Sequence, residues 1–128
     1  MSQYHAVVWI DHSEARVMHI TLDDFEKSLI HGQAHPHLHH KRGVIGSGRA
    51  AEDHAFYEKV VAALKGAQEI LIVGPASAKE ELSRHIAQHH HDMAPKIVGI
   101  ETVDHPSDGQ LLVYARKYFR AADRMRPA

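Results

Sequence analysis

Histidine is the residue type in this chain that could do chemistry. There are 14 His in 128 residues, and no Cys. His35, His37 and His39 alternate within a segment that reads GQAHPHLHHKRGVIGSGR, residues 32–49. In an extended segment alternate side chains share one side, and imidazole suits Zn, Cu and Ni. A second source lies further on, where His85 and His89 are spaced i, i+4, one face of a helix; His90 and His91 extend it. Zinc sites recruit three or four ligands, from more than one element. The candidate ligands for Zn²⁺ or another divalent transition metal are therefore His35, His37, His39, His85 and His89. The competing reading is two solvated His-rich tracts that take up metal adventitiously, since the first segment offers neither acid nor thiolate.

The same segment is the most positively biased in the chain. It holds Lys41, Arg42 and Arg49, and no acid stands between Lys27 and Ala51. Cations meet phosphates, glycines let backbone N–H groups approach closely, and His can stack on bases or donate to phosphate. A Gly46-Ser47-Gly48 turn just ahead of a helix would also suit an anion. The candidate RNA contacts are His39, His40, Lys41, Arg42, Gly46, Ser47, Gly48 and Arg49. The plainer alternative is a solvated connection. Long structureless connections inside a compact domain are uncommon and tend to be functional or disordered. The charge of this segment should rise below about pH 6.5 as its histidines protonate.

No enzyme signature accompanies these clusters. The serines sit in no nucleophile motif, and the absence of Cys excludes thiolate chemistry and disulfides. Asp11 with Glu14, Asp23 and Asp24 offers carboxylates for Mg²⁺, but Asp at a strand end usually shapes a turn. Gly74-Pro75-Ala76-Ser77 is a strand-to-helix turn without a phosphate-binding fingerprint. Trp9 has an apolar neighbourhood and belongs to the core.

The elements that must position these residues follow from periodicity. Residues 4–11 (YHAVVWID) and 15–21 (ARVMHIT) read as strands, with a weaker one at 25–31. Short connections make them an antiparallel meander. From residue 50 to 65 the period changes, and Phe56, Tyr57, Val60, Val61 and Leu64 form a helical face, with Glu52 and Asp53 in its first turn. EILIV, residues 69–73, is a continuous apolar run, the mark of a strand covered on both faces. Ser77 and Glu80 form a capping-box pattern opening a helix to about His90, and Ser107 and Gln110 repeat it. Between them, residues 96–103 read as a strand. The order β-β-β-α-β-α-β-α predicts a mixed five-stranded sheet flanked by helices, with a long His/Gly-rich loop at 32–49.

The length gives one domain. A net charge of −1 carries no global basic excess, so no DNA partner is expected. A local basic surface remains in the last turns, where Arg116, Lys117, Arg120, Arg124 and Arg126 face one acid, Asp123. No signal peptide or membrane span is expected, and the lack of Cys fits a cytoplasmic location. Homo-oligomerisation is left open.

VVWIDHSEARVMHI, then AFYEKVVAALKGAQEILIVGPASAKEELSRHI, then KIVGIETVDHPSDGQLL, resembles the middle domain of the archaeal and eukaryotic peptide-chain release factor and Pelota family. The resemblance covers residues 4–104, and EILIVGPASAKEEL is its most specific piece. Small bacterial single-domain relatives are described as translational machinery proteins, and the hibernation factor Balon looks like part of the wider family. The resemblance implies a three-layer α/β, ribonuclease-H-like fold of the translational-machinery type. In true release factors the loop before the first long helix carries a Gly-Gly-Gln motif for peptidyl-tRNA hydrolysis. Here that place reads Gly43-Val44-Ile45-Gly46-Ser47-Gly48-Arg49, with no Gln. No catalytic residue is carried over. What the resemblance implies is a non-catalytic partner of the ribosome, rRNA or tRNA, acting in stress or hibernation.

Overall fold

The computed structural model describes residues 5–32 and 47–125, the side chains of 47–52 and 123–125 excepted. Five strands, β1 (His5–Ile10), β2 (Glu14–Ile20), β3 (Phe25–His31), β4 (Glu69–Gly74) and β5 (Ile97–Thr102), form one sheet in the order β3-β2-β1-β4-β5. β1 pairs antiparallel with β2, and β2 antiparallel with β3. β1 and β4, and β4 and β5, pair in parallel. Only β2 therefore runs against the rest, and the other four strands end at one edge.

Three helices, α1 (Ser47–Leu64), α2 (Ala78–His89) and α3 (Asp108–Met125), cover the two faces. The period-2 alternation of β1 decides which side chain meets which helix. Ala6, Val8 and Ile10 join Ala15 and Val17 under α1 and α2, against Phe56, Val60, Leu64, Leu82 and Ile86. Val7 and Trp9 join Met18, Ile20, Leu71 and Val73 on the opposite face, against Leu111, Ala115 and Phe119 of α3. The result is the expected three-layer α/β architecture, with β1 and β4 buried on both faces as their continuous apolar runs require.

Local details correct three expectations. The first long helix starts at Ser47, not at Ala50, so Ser47, Gly48 and Arg49 belong to α1 rather than to the loop. Arg49 and the alanines after it are strong helix formers, and they outweigh Gly48. The first turn then contains no acid, and Glu52 and Asp53 fall in the second turn. At α2, Ser77 makes no side-chain cap bond. Its hydroxyl donates instead to Glu81 Oε2 at 3.3 Å, while Glu80 reaches Lys79 at 3.7 Å. At α3 the expected capping box forms in full: Ser107 N–H donates to Gln110 Oε1 at 2.9 Å and Gln110 N–H to Ser107 Oγ at 3.1 Å. One turn of 3-10 helix, Ala94–Lys96, was not foreseen.

Gly74 closes β4 against β1 so tightly that a Cβ there would stand 2.2 Å from the Ile10 carbonyl oxygen. Gly109, in the first turn of α3, has nothing within 4 Å of such a Cβ. Gly74→Ala should therefore destabilise the fold by about 1–3 kcal/mol or more, since backbone must shift. Gly109→Ala should be neutral to stabilising by up to about 1 kcal/mol. Urea unfolding midpoints check both, and equal midpoints for the two variants would contradict the packing described.

Candidate functional site

The connection between β3 and α1 leaves the sheet at the edge where four strands end, the place where open α/β sheets put ligands. Its root is fixed. Gly32 N–H donates to the Ser13 carbonyl at 2.8 Å, and a Cβ on Gly32 would lie 3.5 Å from the Phe56 ring of α1. Ser13 is in turn fixed by Asp11, whose Oδ1 accepts from Ser13 N–H and Glu14 N–H, both at 2.8 Å. Burial alone would raise the pKa of Asp11, but those backbone donors outweigh it and hold the carboxyl below its usual value. Asp11 thus does the turn-shaping expected of it.

His35, His37, His39, His40, Lys41, Arg42 and Gly46 lie outside the described residues. Ser47, Gly48 and Arg49 form the start of α1. The first N–H groups of any helix lack intrahelical acceptors and carry partial positive charge, so this turn remains suited to an anion.

His85 and His89 share one face of α2, as their spacing predicts, but α1 supplies their neighbours. The His85 ring centre lies 4.9 Å from His54 and 4.7 Å from His89, and His54 lies 5.3 Å from His89. Nε2–H of His85 and of His90 both donate to Glu58 Oε2, at 2.6 and 2.7 Å. His54 and Glu58 were missed in the sequence, although they too stand at i, i+4. They lie inside a helix read only for its apolar face. Hydrogen bonds from His90 and His85 lower the Glu58 pKa to about 2. His85 is buried, and burial holds its pKa below the ordinary value despite the pull of Glu58. It therefore bonds to Glu58 as a neutral donor at pH 7.

Several cations outside this segment are engaged in the fold. Arg16 lies 4.7 Å over the Trp9 ring and bonds Asp108 at 2.9 Å. Lys27 meets the same carboxylate at 2.6 Å. Arg116, expected on a basic surface, donates to the carbonyls of Thr21, Leu22 and Asp24. Beyond the end of β5, a recess of about 490 Å³ is lined by Val103, Asp104, His105, Pro106, Leu111 and Tyr114. His105 sits 4.8 Å from Trp9 and 3.9 Å from Asp11. With one exposed imidazole, it assembles no nucleophile and base.

No family model matches the sequence, and neither does any curated protein. Solved structures do. Pelota from Archaeoglobus fulgidus superposes with a TM-score of 0.64 at 12% identity, over 91% of this chain and 32% of its own. The archaeal translation termination factor aRF1 gives 0.60 at 15%, over 95% and 39%. Dom34 from S. cerevisiae, described as a translation termination-like factor interacting with Hbs1, gives 0.58 at 14%, over 85% and 31%. The fold is that of the Pelota and aRF1 domain. The expected resemblance to that fold is thereby shown. The chain spans about a third of those proteins' length.

The Glu58 carboxylate sets an acid limb. Its pKa is depressed from 4.5 to about 2 in the folded chain. Its contribution is therefore fully present above about pH 4.5 and lost as pH falls towards 2. Glu58→Gln should lower stability at pH 7, and its deficit against the parent should shrink as pH drops below 4.5. Denaturant midpoints measured from pH 7 to pH 3 check this. A deficit that stays constant over that range would contradict it.

Proposed function

We propose that this chain is a non-catalytic, translation-associated protein that binds the ribosome, rRNA or tRNA, in stress or hibernation. The contact is made by residues 32–49, through His39, His40, Lys41, Arg42, Gly46 and the α1 start at Ser47, Gly48 and Arg49. The observation that carries this reading is the position of that segment. On a fold shared with Pelota and aRF1, it joins β3 to α1 at the edge where four of five strands end. The segment and the first turn of α1 hold three permanent cations and no acid. Phosphate contacts by such groups supply salt-sensitive affinity, and the bases are reached by stacking or hydrogen bonding.

Peptide release is not part of the proposal. The chain has no Gly-Gly-Gln between β3 and α1. A cytoplasmic location follows from the role proposed. No helix among the described residues is long and apolar enough to cross a membrane.

Co-sedimentation of the full chain with ribosomes over a salt series tests the reading. Lys41, Arg42 and Arg49 replaced together by Ala should weaken binding at least tenfold. The slope of log affinity against log salt should fall by about 2, as expected for up to three lost phosphate contacts. A parent protein that stays in the supernatant at low salt would sink the proposal, as would an unchanged slope in the triple variant.

A further inference from the structure

The His54, His85 and His89 group takes no part in the contact proposed above, yet it is built as a site. The three residues come from two helices that are far apart in sequence, and one ring nitrogen of each lies within 4.8 Å of the others. Three imidazoles around one Zn²⁺, with Zn–N near 2.0–2.1 Å and tetrahedral angles, put their ring centres about 5 Å apart. The observed separations of 4.7, 4.9 and 5.3 Å bracket that figure. Glu58 accepts from Nε2–H of His85 at 2.6 Å, which fixes the tautomer and leaves the Nδ1 lone pair available. A carboxylate behind a histidine ligand is the usual partner in metal sites, because it sets the ring's orientation and raises its basicity. His85 is buried and so has one orientation, whereas His54 and His89 are exposed and give an ion access from solvent.

We propose that His54, His85 and His89 form a binding site for one Zn²⁺, or a divalent transition ion of similar chemistry, with Glu58 as the positioning residue for His85. The ion ties α1 to α2. Three protein ligands leave a fourth position for water. The site shares His85 and His89 with the set expected from sequence and adds His54, while His35, His37 and His39 lie outside the described residues. The neighbouring group Glu58, His85 and His90 also brings its ligand atoms within 4.8 Å. There, however, the carboxylate oxygen is already shared by two ring donors at 2.6 and 2.7 Å, a hydrogen-bonded arrangement complete without an ion.

The test is calorimetric titration of untagged full-length protein with Zn²⁺ alone, paired with thermal unfolding at saturating metal. The variants are His54→Asn with His89→Asn, both at exposed positions, then His90→Asn alone, and His35, His37, His39 and His40→Asn together. The expected result is one equivalent bound with a raised Tm in the parent, the His90 variant and the four-His variant. The His54/His89 variant should bind at least tenfold more weakly, with the Tm gain lost and its metal-free Tm close to the parent's. Binding that disappears in the four-His variant and survives in the His54/His89 variant would show adventitious uptake by the 35–40 segment and overturn the proposal. Binding lost only in the His90 variant, or no binding by the parent, would also overturn it.

Discussion

The close pairing of β1 with β4 is the constraint on which the rest of the structure depends. β1 is the central strand, buried on both faces, and it must hydrogen-bond antiparallel on one side and parallel on the other. That works only if β4 can approach where it turns away into α2. Gly74 makes the approach, because any side chain there would collide with the Ile10 carbonyl. With β1 and β4 in register, Ala6, Val8 and Ile10 are committed to the α1 and α2 layer, and Val7 and Trp9 to α3. The strand ends then assemble one edge. Asp11, Ser13 and Gly32 are fixed there by short hydrogen bonds, so the basic segment springs from a rigid base.

Much of this fold is legible in the sequence because its two periodicities are clear. EILIV announces a strand with no solvent face, and Phe56, Val60 and Leu64 announce a helix with one. Ser107 and Gln110 announce their cap, since both partners are local. The departures come where non-local contacts win. Ser77 looks like a capping residue, but Glu81 takes its hydroxyl, and Glu81 is itself placed by Tyr57 of α1 at 2.8 Å. Arg116 looks like part of a free basic surface, but the carbonyls of the β2–β3 turn take it. Gly48 looks like a breaker, but α1 runs through it.

The histidines show the same limit from the other side. The spacing of His85 and His89 places them on one helical face, and nothing in a single sequence tells which element packs against that face. The neighbours are His54 and Glu58, whose own i, i+4 spacing carries the signal. That signal is readable only once α1 and α2 are known to touch. Two helices thus contribute matching pairs across one seam, and Glu58 draws the rings of His85 and His90 to a single carboxylate oxygen. Burial of His85 keeps its ring neutral beside that carboxylate. The cluster is held by geometry rather than by net charge.

The central proposal is that a chain with the fold of the Pelota and aRF1 domain, and no Gly-Gly-Gln between β3 and α1, uses that connection to contact RNA. Ultraviolet crosslinking of the full chain to ribosomes, followed by mass spectrometry of the nucleotide-bearing peptides, tests it most directly. The account predicts crosslinks on peptides from residues 32–49, including those containing His39, His40 and Arg49. Crosslinks confined to α3, or to the exposed face of β3, would contradict it.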